Sequence, residues 1–264
     1  MAAKLVLITG ASSGIGEALA KRYGRAGAHV LLLARNAGRL GAVADAVRES
    51  GGTATIYPID LADDKAIEDT SARIAREVGI PDVLINNAGA GRWLPLLKTT
   101  AKEALAMIEV PYLAAFNLTR AFLPYMLTRG SGTIACVTSP ASYVVWPNAN
   151  AYIAARQALK GFTDALRGEV RGTGVTVTLA VLGPVETPYW EHNPGSREHL
   201  PRSNPRLAPT LTAGEAAEAI FDGVERRKRT VVKPAILRAL FLLNALAPDL
   251  VTRQLRRSIR KRPV

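Results

Sequence analysis

The sequence predicts an α/β fold, a doubly wound parallel sheet with helices on both faces. Three observations lead there. Short, near-continuous apolar runs alternate with longer segments of helical periodicity. A glycine-rich turn lies between the first run and the first helical segment. The chain of 264 residues, 48% hydrophobic and 21% charged, suits one α/β domain with a sizeable core and does not suit a disordered chain.

Candidate strands fall at 5–9, 30–34, 53–59, 83–86, 133–138, 175–181 and 230–232. Candidate helices lie near 14–26, 37–49, 64–78, 99–128, 150–171 and 213–227. Continuous apolar strands are those buried on both faces, and right-handed crossovers between them give the doubly wound arrangement. No linker or repeat divides residues 1–233. Two segments break the alternation. Residues 187–211 carry Pro188, Pro194, Pro201, Pro205 and Pro209 with Tyr189, Trp190, His192 and His199, and a connection this long predicts a lid. Residues 234–264 form an extension, an apolar helix followed by a basic one.

The single cysteine, Cys136, excludes an intrachain disulfide and sits in an apolar run, where a buried thiol is expected. A strand-like run begins at Lys4, leaving no room for a signal peptide. No apolar run reaches the roughly 18–20 residues that span a bilayer. The expected location is cytoplasmic. His29, His192 and His199 lack metal-ligand spacing, so no metal is expected. The net charge of +12 is concentrated at Arg226–Arg238 and Arg253–Arg262. Such clusters meet nucleic acid, anionic membrane or acidic partners, or are simply solvated. Nucleic acid is not expected here. Peripheral membrane contact through the C-terminus is, with pocket capping or packing on a second subunit as the alternative for the apolar helix.

The run 5–9 leads into Gly10-Ala11-Ser12-Ser13-Gly14-Ile15-Gly16 and then a helix. Glycines there allow a tight turn and close approach of the backbone to a pyrophosphate, while the helix N-terminus offers free N–H groups and the positive end of its dipole. The second strand ends Ala34-Arg35, where a site preferring NAD usually carries a carboxylate for the ribose 2′-hydroxyl. A guanidinium instead grips a 2′-phosphate by charge-assisted bonds. Arg35 therefore points to NADP(H); the alternative is an ordinary exposed arginine.

With these motifs the chain resembles the short-chain dehydrogenase/reductase family, whose domain is a Rossmann fold. Thr9-Gly10-x-x-x-Gly14-x-Gly16 is similar to the family's cofactor loop, and Asn86-Asn87-Ala88-Gly89 to its strand-four signature. Ser139 and Tyr152 stand at the separation of its catalytic serine and tyrosine. The resemblance implies an adenine contact at Asp60 and Leu61, and a nicotinamide loop at Gly183, Val185 and Thr187. It implies cofactor contacts at Ser12, Ser13, Ile15, Asn87, Ala88, Gly89 and Tyr152. It also implies pairing of subunits through the helices near 99–128 and 150–171, as a homodimer or homotetramer.

Three positions depart from the family pattern. Arg156 stands where lysine follows the tyrosine by four residues, Pro111 where the family's helix carries an asparagine, and Leu182-Gly183 where Pro-Gly is usual. A free phenol titrates near 10 and needs a neighbouring cation to act at neutral pH. Residues i and i+4 share a helix face, so Arg156 can supply that field to Tyr152 and donate to the ribose. It cannot carry a proton, because arginine does not deprotonate in proteins. The family's asparagine maintains a kink and a relay water; Pro111 removes a backbone N–H and bends the helix. Ser139 would hold the substrate oxygen. Two readings follow. One is an NADP(H)-dependent reductase for a bulky apolar carbonyl or secondary alcohol, with Trp93, Tyr143, Trp146, Tyr189 and Trp190 as candidate pocket residues. The other is a non-catalytic NADP(H)-binding sensor or scaffold.

Overall fold

A computed structural model describes residues 3–199, 201 and 209–258. In chain order the elements are β1 (Leu5–Thr9), α1 (Gly14–Arg25), β2 (His29–Ala34), α2 (Ala37–Glu49), β3 (Thr53–Pro58), α3 (Asp64–Glu77) and β4 (Val83–Asn86). There follow α4 (Ala101–Ile108), α5 (Ala114–Arg129), β5 (Gly132–Thr138), α6 (Asn150–Glu169), β6 (Val175–Leu182), β7 (Val185–Glu186) and α7 (Tyr189–His192). The chain closes with β8 (Leu211–Thr212), α8 (Ala213–Glu225), β9 (Thr230–Lys233), α9 (Leu237–Leu246) and α10 (Pro248–Ser258).

Seven strands form one parallel sheet in the order β3-β2-β1-β4-β5-β6-β9. Alternate residues of each strand enter opposite cores. Val6 and Ile8 of β1 pack with Leu19, Leu40 and Ile220 of α1, α2 and α8, while Leu7 packs with Ile67, Leu118 and Leu166 of α3, α5 and α6. Both faces are therefore covered, which is why the strands read as unbroken apolar runs. Full burial of each such side chain is worth about 1.5–3 kcal/mol. The sheet winds outward in two directions from β1 and β4, and a crevice opens beyond their C-terminal ends, where α/β sheets bind ligands.

The strands lie within a residue or two of the expected positions. The single helix expected at 99–128 is corrected. It is two helices, α4 and α5, joined by a π-helical turn at Glu109–Leu113 that contains Pro111. The Ala114 N–H donates to the Glu109 carbonyl, five residues back. Proline lacks the donor and its ring would strike the carbonyl four residues earlier; widening the turn relieves that clash.

A second, two-stranded parallel pair, β7 with β8, went unread in the sequence because each strand has two residues. It joins Val185 to Leu211 and so brings the ends of the 187–211 segment together. Pro205 of the 187–211 segment, and Arg260, Lys261 and Arg262, lie outside the described residues.

Candidate active site

The crevice holds a cleft of about 1180 Å³. At one end it is lined by Gly10, Ser12, Ser13, Gly14 and Ile15 from the β1–α1 turn. Gly10 has φ +64° and Gly14 φ +58°, a backbone that side chains rarely adopt. Ser13 begins α1 with no side-chain cap, so the N–H groups of its first turn stay open to an anion. Gly16, the last glycine of the expected cofactor loop, lies behind the residues that line the cleft. A Cβ there would lie 2.2 Å from the Gly10 carbonyl oxygen, so this glycine lets the helix pack on its own loop.

Farther along, Arg35, Asn36, Arg39, Asp60, Leu61 and Ala62 line the cleft at the C-terminal ends of β2 and β3. Arg35 and Arg39 are both exposed, Arg35 just after β2 and Arg39 in the first turn of α2. Arg39 was missed in the sequence, although it falls in the first turn of the helix expected at 37–49. The Asp60 carboxylate accepts the Ala62 N–H at 3.1 Å.

The Asn87-Ala88-Gly89 loop is fixed by Thr9, whose hydroxyl accepts the N–H groups of Asn87 and Ala88 at 2.9 Å. The Asn87 side chain donates to the Thr9 carbonyl at 2.9 Å. Gly89 then faces Arg156, and a Cβ on it would lie 2.7 Å from the guanidinium Nη2. Gly183, Val185 and Thr187 line the opposite wall, and Thr187 covers Gly14, where a Cβ would come within 3.0 Å of its methyl.

Ser139, Tyr152 and Arg156 all line the same cleft, although they come from β5 and α6. The Ser139 hydroxyl accepts the Ala141 N–H at 3.2 Å, which holds it at the strand end. Arg156 is 6% exposed, and its buried Nε has no hydrogen-bond partner among the described residues. A buried guanidinium N–H left unpaired is costly, so a ligand that accepts from it is the chemistry this position fits. The glycine cradle and this orphaned donor are what a dinucleotide requires: backbone access for its phosphates and a donor for its ribose.

An aromatic wall surrounds Tyr152. The Trp93 ring lies 5.0 Å from Tyr152, 5.2 Å from Trp146 and 5.9 Å from Trp190. The Tyr189 hydroxyl donates to the Gly91 carbonyl at 2.6 Å, and burial, with the nearby Tyr152, pushes its phenol far above its ordinary range. Tyr143 is the exception among the expected pocket aromatics. It leaves the cleft and stacks on Phe241 of α9 at 4.3 Å.

Two more hydrogen bonds join the 187–211 segment to the loop after β4, and a third braces that segment internally. Asn193 accepts the Gly91 N–H at 3.3 Å and donates to the Tyr189 carbonyl at 2.8 Å, while the fully buried Ser196 accepts the Trp93 N–H at 2.9 Å. His192 also lines the cleft. Glu109 and Val110 enter it from the π turn, and Leu237, Leu240 and Leu255 from α9 and α10. The apolar helix at 237–246 thus contributes to the pocket with one face, the pocket-capping role that the sequence offered as an alternative to membrane contact.

Residues 4–197 match the family model described as short chain dehydrogenase. The chain is 33% identical over 254 residues to a protein named fatty acyl-CoA reductase from Acinetobacter baylyi, covering 94% of this chain and 81% of the other. It is 32% identical over 267 residues to dehydrogenase/reductase SDR family member 7B of Rattus norvegicus, covering 97% and 82%. Among solved structures, a short-chain dehydrogenase from Sphingobium yanoikuyae in complex with NADPH superimposes with a TM-score of 0.80 at 25% identity, covering 99% of this chain and 98% of the other. An alcohol dehydrogenase from Thermococcus sibiricus, complexed with 5-hydroxy-NADP, gives 0.76 at 26%, covering 88% and 96%. With the parallel sheet, the glycine turn and Ser139, Tyr152 and Arg156 gathered at one cleft, these similarities establish that the chain belongs to the short-chain dehydrogenase family of oxidoreductases.

Proposed function

We propose that the protein is an NADP(H)-dependent oxidoreductase that interconverts a carbonyl and a secondary alcohol on a bulky apolar substrate. One observation carries this reading: Arg156, buried and with its Nε unpaired among the described residues, stands one helical turn from Tyr152 in the cleft that also holds the glycine turn. The phosphates would lie on the N-terminus of α1, the 2′-phosphate beside Arg35 and Arg39, and the ribose against Tyr152 and Arg156. NADP(H) rather than NAD(H) is supported by the two arginines after Ala34 and by the NADPH and 5-hydroxy-NADP bound to the Sphingobium and Thermococcus relatives. Asp60 and Leu61 would flank the adenine, and Gly183, Val185 and Thr187 the nicotinamide.

When bound, the nicotinamide supplies or accepts the hydride. In reduction, Ser139 donates to the carbonyl oxygen and steadies its growing charge. As the C=O π pair moves onto that oxygen, the Tyr152 hydroxyl gives up its proton and the alcohol forms. The phenolate left behind is held beside the Arg156 cation, which stays charged throughout; water in the cleft returns the proton. Trp93, Trp146 and Trp190 with Leu237, Leu240 and Leu255 give the substrate end an apolar wall. A relative named for a fatty acyl substrate is consistent with that character.

We further place one catalytic domain over residues 1–233, with a lid at 187–211, and assign 234–264 to an extension that completes the pocket. We place the subunits in a homodimer paired through α5 and α6, where Leu113, Phe116, Tyr125 and Leu127 are exposed. The function is tested by following NADPH oxidation with a panel of ketones and aldehydes of increasing chain length. Turnover that rises with apolar length is the expected result. Tight NADPH binding with no oxidation across the panel overturns it in favour of a non-catalytic cofactor-binding protein.

A further inference from the structure

Helices α9 and α10 are apolar on two sides, and among the described residues only one of those sides is packed. The inward side consists of Leu237, Leu240, Phe241, Val251 and Leu255, which pack on the aromatic cluster around Tyr152 or line the cleft. Asn244 ties this side down by donating to the Tyr143 carbonyl at 3.0 Å. On the outward side, Leu242 is 64% exposed, Leu243 40%, Leu246 76% and Leu250 56%. A lone exposed leucine means nothing, but four within nine residues form a patch that a soluble surface normally avoids.

The charges sort onto that same side. Arg238, Leu242 and Leu246 are spaced i, i+4 and i+8 on α9, and Leu250, Arg253 and Arg257 are spaced i, i+3 and i+7 on α10, so each stripe of leucine carries arginine on its own face. Arg238, Arg253, Arg256 and Arg257 are exposed, with no ion pair among the described residues. From residue 234 onward the sequence holds seven basic residues and one acid, Asp249. No helix among the described residues is long and apolar enough to cross a membrane. Exposed leucines flanked by unpaired arginines are the chemistry of a helix lying in a headgroup layer: apolar side chains enter the acyl boundary while guanidinium groups meet phosphate.

We propose that the outward face of α9 and α10 docks on an anionic lipid surface. The cleft-lining leucines of the same helices would then lie one helix thickness, about 10 Å, from lipid. Docking follows from this face alone. Its consequence, that an apolar substrate enters from the bilayer, rests on the oxidoreductase reading above.

Co-sedimentation of the full-length protein with vesicles tests docking without any turnover. Phosphatidylcholine vesicles containing phosphatidylglycerol should carry the protein down at low salt and release it at high salt, and vesicles of phosphatidylcholine alone should carry down much less. Arg253→Gln with Arg257→Gln should weaken partitioning by about fivefold per arginine. Leu242→Ser with Leu246→Ser should weaken it by roughly tenfold per leucine. These positions are exposed and outside the cleft, so unchanged NADPH binding and circular dichroism verify that the variants fold. The proposal is overturned if the full-length protein stays in the supernatant with anionic vesicles at low salt, or if either double variant binds as well as the parent. It is equally overturned if the leucine variant halves the particle mass in light scattering while the parent ignores vesicles, because a second copy would then cover the face.

Discussion

The guanidinium carbon of Arg156 stands 4.9 Å from the centre of the Tyr152 ring, with Gly89 closing the other side of the guanidinium. The cation faces both the phenol one turn before it and the space where a ribose would lie. Removing the phenolic proton should remove the chemistry and leave the binding surfaces in place. Tyr152→Phe is expected to lower kcat by about 10²–10⁴-fold. Its NADPH affinity, measured by fluorescence titration, should stay close to that of the parent. Arg156→Lys is expected to lower kcat as well, by roughly 10–100-fold. Lysine is a shorter point charge and cannot fill the planar slot against Gly89, so about one charge-assisted hydrogen bond, about 1.5–3 kcal/mol, is lost. A gain of activity in Arg156→Lys would mean that the arginine is a defect and not a fitted part.

Arg35 and Arg39 share the outer end of the cleft with no carboxylate at Ala34. Arg35→Asp should therefore reverse cofactor preference, moving the NADPH-to-NADH ratio of kcat/KM by at least about a hundredfold, since a favourable charge pair becomes a repulsive one. Arg39→Ala should move it in the same direction by less. Equal use of NADH by the unmodified protein would remove the basis for NADP(H).

Gly16 touches no part of the cleft, yet NADPH binding should depend on it. Its missing Cβ leaves room for the Gly10 carbonyl, and Gly16→Ala would push that oxygen away from a 2.2 Å contact. Overpacking of this kind costs about 1–3 kcal/mol. The expected outcome is a lower Tm together with weaker NADPH binding, measured by thermal melting with and without cofactor. Unchanged affinity would show that the turn tolerates the shift.

The lid clasp makes a prediction of its own. Ser196 is fully buried and accepts the Trp93 N–H, so Ser196→Ala strands a buried donor, at about 1–3 kcal/mol. The lid should open more often. Limited proteolysis is expected to cut within 187–211 faster, and KM for an apolar substrate to rise by roughly 5–100-fold. The same cleavage rate in parent and variant would count against a clasp.

On α5, Phe116 is 40% exposed and in ring contact with Tyr112 and Phe162. If α5 and α6 pair the subunits, Phe116→Glu should convert the dimer to monomer in light scattering, since each copy loses about 1.5–3 kcal/mol of apolar burial and gains a charge in the interface. A parent that is already monomeric at micromolar concentration would refute the pairing.

The resemblance to the short-chain dehydrogenase family singled out Ser139, Tyr152 and Arg156, while the pattern of the sequence itself specified the sheet, the glycine turn and the shared helix face of Tyr152 and Arg156. These are local properties. Unbroken apolar runs report strands covered on both faces, glycines report a tight turn, and a spacing of four reports a shared helix face. Only the tertiary structure decided what depends on elements distant in the chain. Gly16 proved to serve packing because the neighbour it accommodates, the Gly10 carbonyl, is defined by the turn's final shape. Pro111 was legible as a bend, but its resolution as a π turn goes with α4 packing on α6 while α5 packs on α3. Trp93, Ser196 and Leu240 meet around Tyr152 from three separate segments, and no periodicity within any one segment specifies that meeting. The apolar helix at 237–246 showed its composition in the sequence, but its division into a face on the cleft and a face on the outside depends on where the rest of the protein stops. Burial is a relation between distant parts of a chain, and pattern within a segment constrains it without fixing it.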